Sequence, residues 1–281
     1  MSTKATVGSC LVEGLRRLSS VLDAELLLTH VLGIDRARLR SHPESPVDAA
    51  QAEAYARALE RRASGEPVAY IVGYREFWSL RIAVDPAVLV PRPETELLVE
   101  RALALRGAEE SGVADLGTGS GAIALALAHE RPAWQIVATD ASAAALAVAR
   151  ANARALGLER VELVEGDWFA PLAGRMFDLV VSNPPYVAPD DPVLADAPLR
   201  FEPRVALAPP GADGLACLRS LVEAAPGYLV PGGWLLLEHG ATQAADVAAL
   251  LVARGFAHVR SHTDLAGRER MTEGRWDPPS R

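Results

Sequence analysis

Asn183-Pro184-Pro185-Tyr186 closes an apolar run, Phe177-Asp178-Leu179-Val180-Val181-Ser182, and its residue types suit the holding of a flat NH2 group. An amide or aryl amine nitrogen has its lone pair delocalised into a π-system, so it is a poor nucleophile until it is oriented and polarised. The Asn183 side-chain oxygen and the Pro184 carbonyl can each accept one N–H of such a group, which leaves the nitrogen lone pair aimed outward. Pro184 and Pro185 fix φ, remove two N–H donors and stiffen the loop. Tyr186 would wall the pocket against the flat target or serve in packing alone. Asn-Pro and Pro-Pro also mark ordinary loops. What sets this one apart is its place at the carboxyl end of the fourth strand of a sheet, beside the first, where an open α/β sheet keeps its ligand crevice.

A second motif lies upstream, Asp115-Leu116-Gly117-Thr118-Gly119-Ser120-Gly121. The turn Gly117, Thr118, Gly119, Ser120, Gly121 follows a strand and opens a helix, so its bare backbone can approach a ligand at a helix N-terminus. Gly117, Gly119 and Ala122 satisfy Gly-x-Gly-x-x-Gly/Ala, and Asp140 stands about 20 residues on, where a carboxylate would accept from ribose hydroxyls. Asp140 could instead cap a helix, a task Ser142 could also perform. Asp115 tilts the choice of cofactor from a nicotinamide towards S-adenosyl-L-methionine, because a dehydrogenase strand is usually apolar up to its glycines. It would either orient the loop or face the positive end of the cofactor. Asp167-Trp168 follows the third strand: Asp167 could accept from an adenine N6, and Trp168 could pack on the ring or sit as a half-buried loop aromatic. Together the two motifs point to methyl transfer onto a planar NH2 nitrogen.

The elements that must position these residues follow from periodicity. Beyond Pro91, strands at 113–116, 135–139, 161–165, 179–182, 234–238 and 257–262 alternate with helices at 122–130, 143–156, 215–224 and 242–253, the pattern of a parallel sheet covered on both faces. Pro231-Gly232-Gly233 reads as a tight turn into the fifth strand, and 268–276 as a last, antiparallel strand. From about 8 to 63 apolar residues recur at helical spacing, broken near Gly33, at 41–46 and at 64–67. This predicts a small helical domain over 1–66, a strand-like hairpin linker over 67–90 and an α/β domain over 91–281. The segment 91–96 is explained by helix initiation, with a role beside the active site secondary. The stripe 23–28 reads as core on one face and solvated charge on the other, and His239 as structural.

Composition narrows the classes. At 281 residues and 50% hydrophobic the chain can bury a large core. A formal net charge of -8 argues against non-specific attraction to nucleic acid. The sole lysine is Lys4, which excludes a pyridoxal phosphate Schiff base and a P-loop. Cys10 and Cys217 suggest neither a disulfide framework nor a metal, so no metal is expected. No apolar run is long enough to span a membrane, and the start lacks a secretion pattern, which together give a cytoplasmic expectation.

The chain resembles the HemK-type (PrmC) protein-glutamine methyltransferases over nearly its whole length. The resemblance is carried by 73–78, 91–96, 115–124, 182–186, Phe201-Glu202-Pro203 and Leu237-Glu238-His239-Gly240. It implies a Rossmann-like class I S-adenosylmethionine-dependent methyltransferase sheet of seven strands, the last antiparallel, preceded by a small all-α domain that helps grip a release factor. It implies a cofactor site at 117–121 completed by Asp140, Trp168 and Asn183, and a substrate pocket at 183–186. The substrate would be the glutamine of the Gly-Gly-Gln loop of class I peptide chain release factors, methylated on its side-chain nitrogen (N5), with S-adenosyl-L-homocysteine as the second product. In-line attack of the amide nitrogen needs no metal and no strong base, and positioning supplies most of the catalysis. A monomer is expected when free, with no direct nucleic-acid or membrane partner.

Three other classes stand beside this one. An adenine-N6 methyltransferase poses the same NH2 problem but calls for a basic groove. A dehydrogenase leaves 183–186 without a role. A non-catalytic chaperone predicts no dependence on a cofactor.

Overall fold

The computed structural model describes residues 5–209 and 213–278; residues 1–4, with Lys4, lie outside them. The chain divides into two compact units, one formed by the residues up to Tyr74 with Ala195–Phe201, the other by Arg75–Leu194 with the residues from Glu202 on.

The first unit is helical. Helices α1 (Val7–Leu18), α2 (Val21–Leu32), α3 (Arg36–Ser41) and α4 (Ala49–Ala63) each begin after a residue whose side chain accepts from the first turn: Thr6, Ser20, Asp35 and Asp48. Those caps satisfy N–H groups that every helix leaves unpaired at its start. Leu27, Leu28, Leu39, Tyr55 and Leu59 close the core between them. The stripe 23–28 departs from expectation at Glu25, which is buried rather than solvated. Arg36 and Arg40 donate to its carboxylate at 2.6 to 2.9 Å and hold its pKa down, the Arg40 bond contributing most. The next helix thus supplies the two cations that let the charge be buried.

The stretch expected as a strand-like linker begins as a short helix, α5 (Val68–Val72), which starts after Pro67 and ends at Gly73 with φ +83. Its residues Ala69, Tyr70 and Ile71 are consecutively buried, and one helical turn of five residues is too short for periodicity to distinguish from a strand. The hairpin is confined to β1 (Tyr74–Phe77) and β2 (Leu80–Ala83).

The second unit continues through α6 (Glu96–Leu105), β3 (Gly112–Leu116), α7 (Ala122–Glu130), β4 (Gln135–Asp140), α8 (Ala143–Leu156) and β5 (Glu162–Glu165). It goes on with β6 (Phe177–Ser182), α9 (Arg204–Leu207), α10 (Ala216–Ala224), β7 (Leu229–Glu238), α11 (Ala244–Arg254), β8 (Ala257–Thr263) and β9 (Glu269–Trp276). Seven strands form one sheet in the order β5-β4-β3-β6-β7-β9-β8. Only β9 runs against its neighbours, as expected of the last strand.

Pro231-Gly232-Gly233 does not precede the fifth parallel strand but interrupts it. Pairing with β6 jumps from Phe177 opposite Leu229 to Leu179 opposite Trp234, so 230–233 bulge on that side, with Gly232 at φ +81, while Gly233 still pairs with Trp276 of β9. Proline has no N–H to give to the ladder, and a bulge is where a strand tolerates it. Leu116, Val137, Val180, Leu235 and Leu237 pack with Leu218 and Leu221 of α10 and Val247 and Leu251 of α11. Helix α7 is buried from Ala122 to Ala128, which explains why it is apolar all round. The chain runs from β3 outward to β5 and then returns to β6 on the other side of β3, which makes the carboxyl ends of β3 and β6 the switch point of the sheet. No helix of the described residues is long and apolar enough to cross a membrane.

Candidate active site

Two strand ends fix the centre of the site. Leu116 of β3 lies opposite Ser182 of β6, and the buried Ser182 hydroxyl donates to the Leu116 carbonyl at 2.7 Å. Gly117 and Asn183 are the next residues on these two paired strands.

The three glycines of the turn serve three purposes. Gly117, Gly119 and Gly121 have φ of +72, +55 and +84, which residues with a Cβ rarely adopt. At Gly117 a Cβ would also stand 2.9 Å from the Trp168 ring, and at Gly121 it would press on Leu125 and Ala149. At Gly119 a Cβ would meet nothing within 4 Å, so this is the glycine whose bare side is open. The Gly119 N–H donates to Asp140 Oδ2 at 2.8 Å, and the Ser142 N–H donates to Oδ1 at 2.9 Å. Ser142, not Asp140, is the N-cap of α8. Trp168 itself holds φ +47, a strained backbone for a residue with a side chain, and its carbonyl accepts from Thr139 Oγ1 at 3.0 Å.

Asp115 turns out to act on the loop. It is fully buried, and its Oδ2 accepts from Thr118 Oγ1 at 2.6 Å and from the Ala124 N–H at 3.2 Å. Its Oδ1 has no partner. Burial pushes this carboxyl up to about 7 against the opposing pull of those two donors.

The loop after β6 is held from several sides. Asn183 Nδ2 donates to Thr95 Oγ1 at 3.1 Å, and Gln243 Nε2 donates to the Tyr186 carbonyl at 3.0 Å. Gly214, at φ +68, passes so close that a Cβ there would lie 2.4 Å from the Tyr186 carbonyl. The Tyr186 hydroxyl donates to Glu238 Oε1 at 3.1 Å, and burial raises the pKa of the phenol. Glu238 is also fully buried. Desolvation pushes its carboxyl up to about 7, while the Thr95 and Tyr186 hydroxyls and Arg270 pull it down. His239 is locked between Thr272 Oγ1 at 2.8 Å and the Gly240 carbonyl at 2.9 Å, and burial lowers its pKa, in keeping with a structural part.

One cavity of about 550 Å³ gathers most of the expected residues. Its wall takes in Gly117, Thr118, Gly119 and Ser120, then Asp140, Asp167 and Trp168, and finally Asn183 and Pro185. Gly121, Pro184 and Tyr186 are not on that wall. Gly121 faces helix packing, Pro184 is buried, and the Tyr186 ring packs against the core rather than walling the cavity.

Three contributors were given no definite role by the sequence. Thr95 lines the cavity, although 91–96 reads as a helix start. Glu202 is buried, accepts from the Val90 N–H at 3.0 Å and pairs with Arg92, and so fastens the wall at Pro91 to the wall at Pro203. Asn152, in mid-helix, exchanges bonds with Ala83 at 2.8 and 3.0 Å and donates to the Ser120 carbonyl at 2.9 Å, which staples β2 to the glycine turn. The motif Phe201-Glu202-Pro203 signalled Glu202 without a role; nothing in the sequence signalled Asn152. Among the described residues no cluster of three or more His, Cys, Asp or Glu could hold a metal.

Two family models match the chain, the PrmC N-terminal domain over residues 13–73 and the methyltransferase small domain over residues 93–197. The release factor glutamine methyltransferase of Xylella fastidiosa strain 9a5c is 54% identical over 255 residues, which cover 90% of this chain and 92% of that protein. This chain belongs to the release factor glutamine methyltransferase family. A second member of the family, from Pseudomonas aeruginosa, is 50% identical over 92% of this chain and 93% of its own length. Among solved structures, a methyltransferase from Pyrococcus furiosus shares the fold, with a TM-score of 0.55 at 20% identity over 71% of this chain and 90% of that one.

Proposed function

We propose that the chain transfers a methyl group from S-adenosyl-L-methionine to the side-chain N5 of the glutamine in the Gly-Gly-Gln loop of class I peptide chain release factors. The observation that carries this reading is the single cavity shared by the glycine turn, Asp140 and the Asn183-Pro185 loop. Its residues fit an adenosine-containing methyl donor. Gly119 is open on the side a Cβ would fill, and each Asp140 oxygen, having accepted one N–H, keeps a lone pair for a ribose hydroxyl. Asp167 on the same wall can accept from an adenine amine, and Trp168 offers a face for its ring. When bound, S-adenosyl-L-methionine supplies a sulfonium-activated methyl group.

The residues of this chain do the rest by positioning. Asn183 Oδ1 and the carbonyl of Pro184, whose ring is buried between the wall residues Asn183 and Pro185, accept the two N–H groups of the target amide and stabilise the positive charge that grows on its nitrogen, which then gives up one of those protons to solvent. Tyr186 contributes by fixing the loop, through its hydroxyl on Glu238 and its carbonyl on Gln243. The helical unit supplies the grip on the release factor; Val12, Leu15, Val21 and Leu22 are apolar side chains left exposed on α1 and α2. The setting is cytoplasmic, without a direct nucleic-acid partner, and the free enzyme is a monomer.

The test is incubation with methyl-labelled S-adenosyl-L-methionine and, separately, a release factor, the same factor with its Gly-Gly-Gln glutamine replaced, and unmethylated DNA, with the label located by mass spectrometry. Label on that glutamine alone is the expected result. Label on adenine transfers the reading to a nucleic-acid methyltransferase, and no label on any substrate overturns the choice of substrate.

A further inference from the structure

We propose that a groove lined by Trp78, Glu94, Glu100 and Leu265 docks a basic segment of the protein substrate and grips an arginine or lysine side chain there. The proposal rests on the reading that a release factor is that substrate, and adds a second point of contact outside the catalytic cavity.

The groove is a hollow of about 300 Å³ within the second unit. Two stretches singled out in the sequence converge on it: Trp78 comes from 73–78, and Pro93, Glu94 and Glu96 come from 91–96. Thr95, between the two glutamates, lines the catalytic cavity instead, so one short segment serves both hollows. Trp78 is pinned at both ends. Its backbone N–H donates to Glu96 Oε1 and its indole N–H to Glu130 Oε1, each at 2.8 Å. Trp78 and Ser79 hold φ of +51 and +59 at the tip of the hairpin, which residues with a Cβ adopt at a cost. The loop after β8 supplies a second apolar side chain. Asp264 Oδ1 accepts from the Ala266 and Arg268 N–H groups at 2.9 Å, and its Oδ2 accepts from Arg270 at 3.3 Å. That carboxylate is thus spent on shaping the loop, and Leu265 is held out fully exposed.

Charge decides what fits. Glu94 and Glu100 form no ion pair among the described residues, and the arginines nearest to them in the chain are committed elsewhere, Arg92 to Glu202 and Arg101 to Glu273. Acidic and basic side chains are equal in number in the helical unit, so the second unit carries the whole net charge of -8. An arginine or lysine matches both halves of the groove. Its aliphatic stem can lie on Leu97 and Leu265, while its cation meets the Trp78 ring and the two free carboxylates. A phosphate would meet like charge, and a purely apolar segment would leave Glu94 and Glu100 to be desolvated without a partner. A release factor, which works against ribosomal RNA, has reason to present such basic side chains.

The test uses the full-length protein, the double variant Glu94→Gln with Glu100→Gln, and the single variant Leu265→Ser. The control is Glu109→Gln with Glu110→Gln, which removes the same charge from exposed positions outside the groove. Methylation of the release factor is measured beside its binding, which is titrated in S-adenosyl-L-homocysteine so that no turnover occurs. Neutralising Glu94 and Glu100 is expected to raise both KM and Kd for the release factor about fivefold at low salt, with kcat, the Kd for S-adenosyl-L-methionine and the Tm little changed. The rise should vanish at high salt, where the Debye length shrinks to about 3 Å. Leu265→Ser is expected to raise both about threefold whatever the salt, and the control to change neither by as much as the groove variants do. An equal effect from the control, an unchanged Kd in both groove variants, or a loss of kcat and Tm in step with KM overturns the groove. Self-association of the unaltered protein that the Glu94, Glu100 double variant abolishes would give the groove to a second copy of this chain and overturn it likewise. Binding that responds to the groove variants without transfer of label sinks the proposed function and keeps the groove; methylation indifferent to them does the reverse.

Discussion

Asn183 Nδ2 donates to Thr95, and in the proposed reaction the oxygen at the other end of the amide is the acceptor. Truncation to alanine removes that acceptor but leaves β6 and its Ser182 to Leu116 bond in place. Asn183→Ala should therefore lower kcat by about 10² to 10³, with a near-normal Tm and a smaller loss of cofactor affinity. Single-turnover rates, calorimetry and melting curves measure the three quantities; equal collapse of all three contradicts the assignment. The buried carboxyls make a second prediction at this scale. Asp115 and Glu238 have ordinary values of 3.8 and 4.5 and are both pushed up to about 7 in the folded chain. Between those limits the unfolded chain has released protons that the native state still holds. Stability from these two groups is thus greatest below pH about 4 and declines as pH rises to about 7, above which the penalty is constant. His239, whose pKa burial lowers, acts in the opposite sense over the same window, so the two carboxyls are read from a comparison of variants: the Tm of the unaltered protein minus that of Asp115→Asn should fall as pH rises from about 4 to about 7. A difference that stays constant or grows would sink the reading of Asp115.

At the scale of elements, the site depends on ties between segments that no local pattern announces. Asn152 joins α8 to β2 and to the glycine turn by three hydrogen bonds. Asn152→Ala strands buried polar groups on Ala83 and Ser120, so it should cost about 1 to 3 kcal/mol of stability and weaken cofactor binding while leaving the Asn183 loop intact. Denaturant unfolding and calorimetry test this; unchanged cofactor affinity would mean that the staple serves the fold alone. The parallel strands and their helices were legible because each strand is a short apolar run that ends in the residues that line the crevice, as Leu116 leads to Gly117 and Ser182 to Asn183. Helix α5 was not, since five residues bounded by Pro67 and Gly73 carry no period. The interruption in β7 was read as its start, because Pro-Gly-Gly marks a turn equally well in either place. The motifs 91–96 and 237–240 were singled out in the sequence, but the partners of Thr95 and Glu238 were not legible, because Thr95 lies 88 residues from Asn183 and Glu238 lies 52 from Tyr186. Short-range patterns explain a residue by its neighbours in the chain, and Thr95 has a complete local explanation as a helix start that hides its other partner.

For the whole molecule, the long-range field matters more than any one contact. With 36 acidic against 28 basic side chains and a net charge of -8, the protein's long-range field favours a partner with basic surface over a phosphate backbone. A release factor that must bind ribosomal RNA has reason to carry such a surface, so encounter between the two proteins should be steered electrostatically. Steering acts on the association rate, is screened beyond a Debye length of about 10 Å at 0.1 M salt, and leaves short-range packing untouched. The rate constant for association with the release factor should accordingly fall by about tenfold or more between low and high ionic strength, while dissociation changes much less. The cavity proposed for the cofactor is a contrast within the same protein, since its lining is largely apolar and carries only two carboxylates, Asp140 and Asp167. Stopped-flow mixing across a salt series, with cofactor binding followed in the same buffers, separates the two. An association rate indifferent to salt would leave the acidic surface without this role and return recognition to the exposed apolar side chains of α1 and α2.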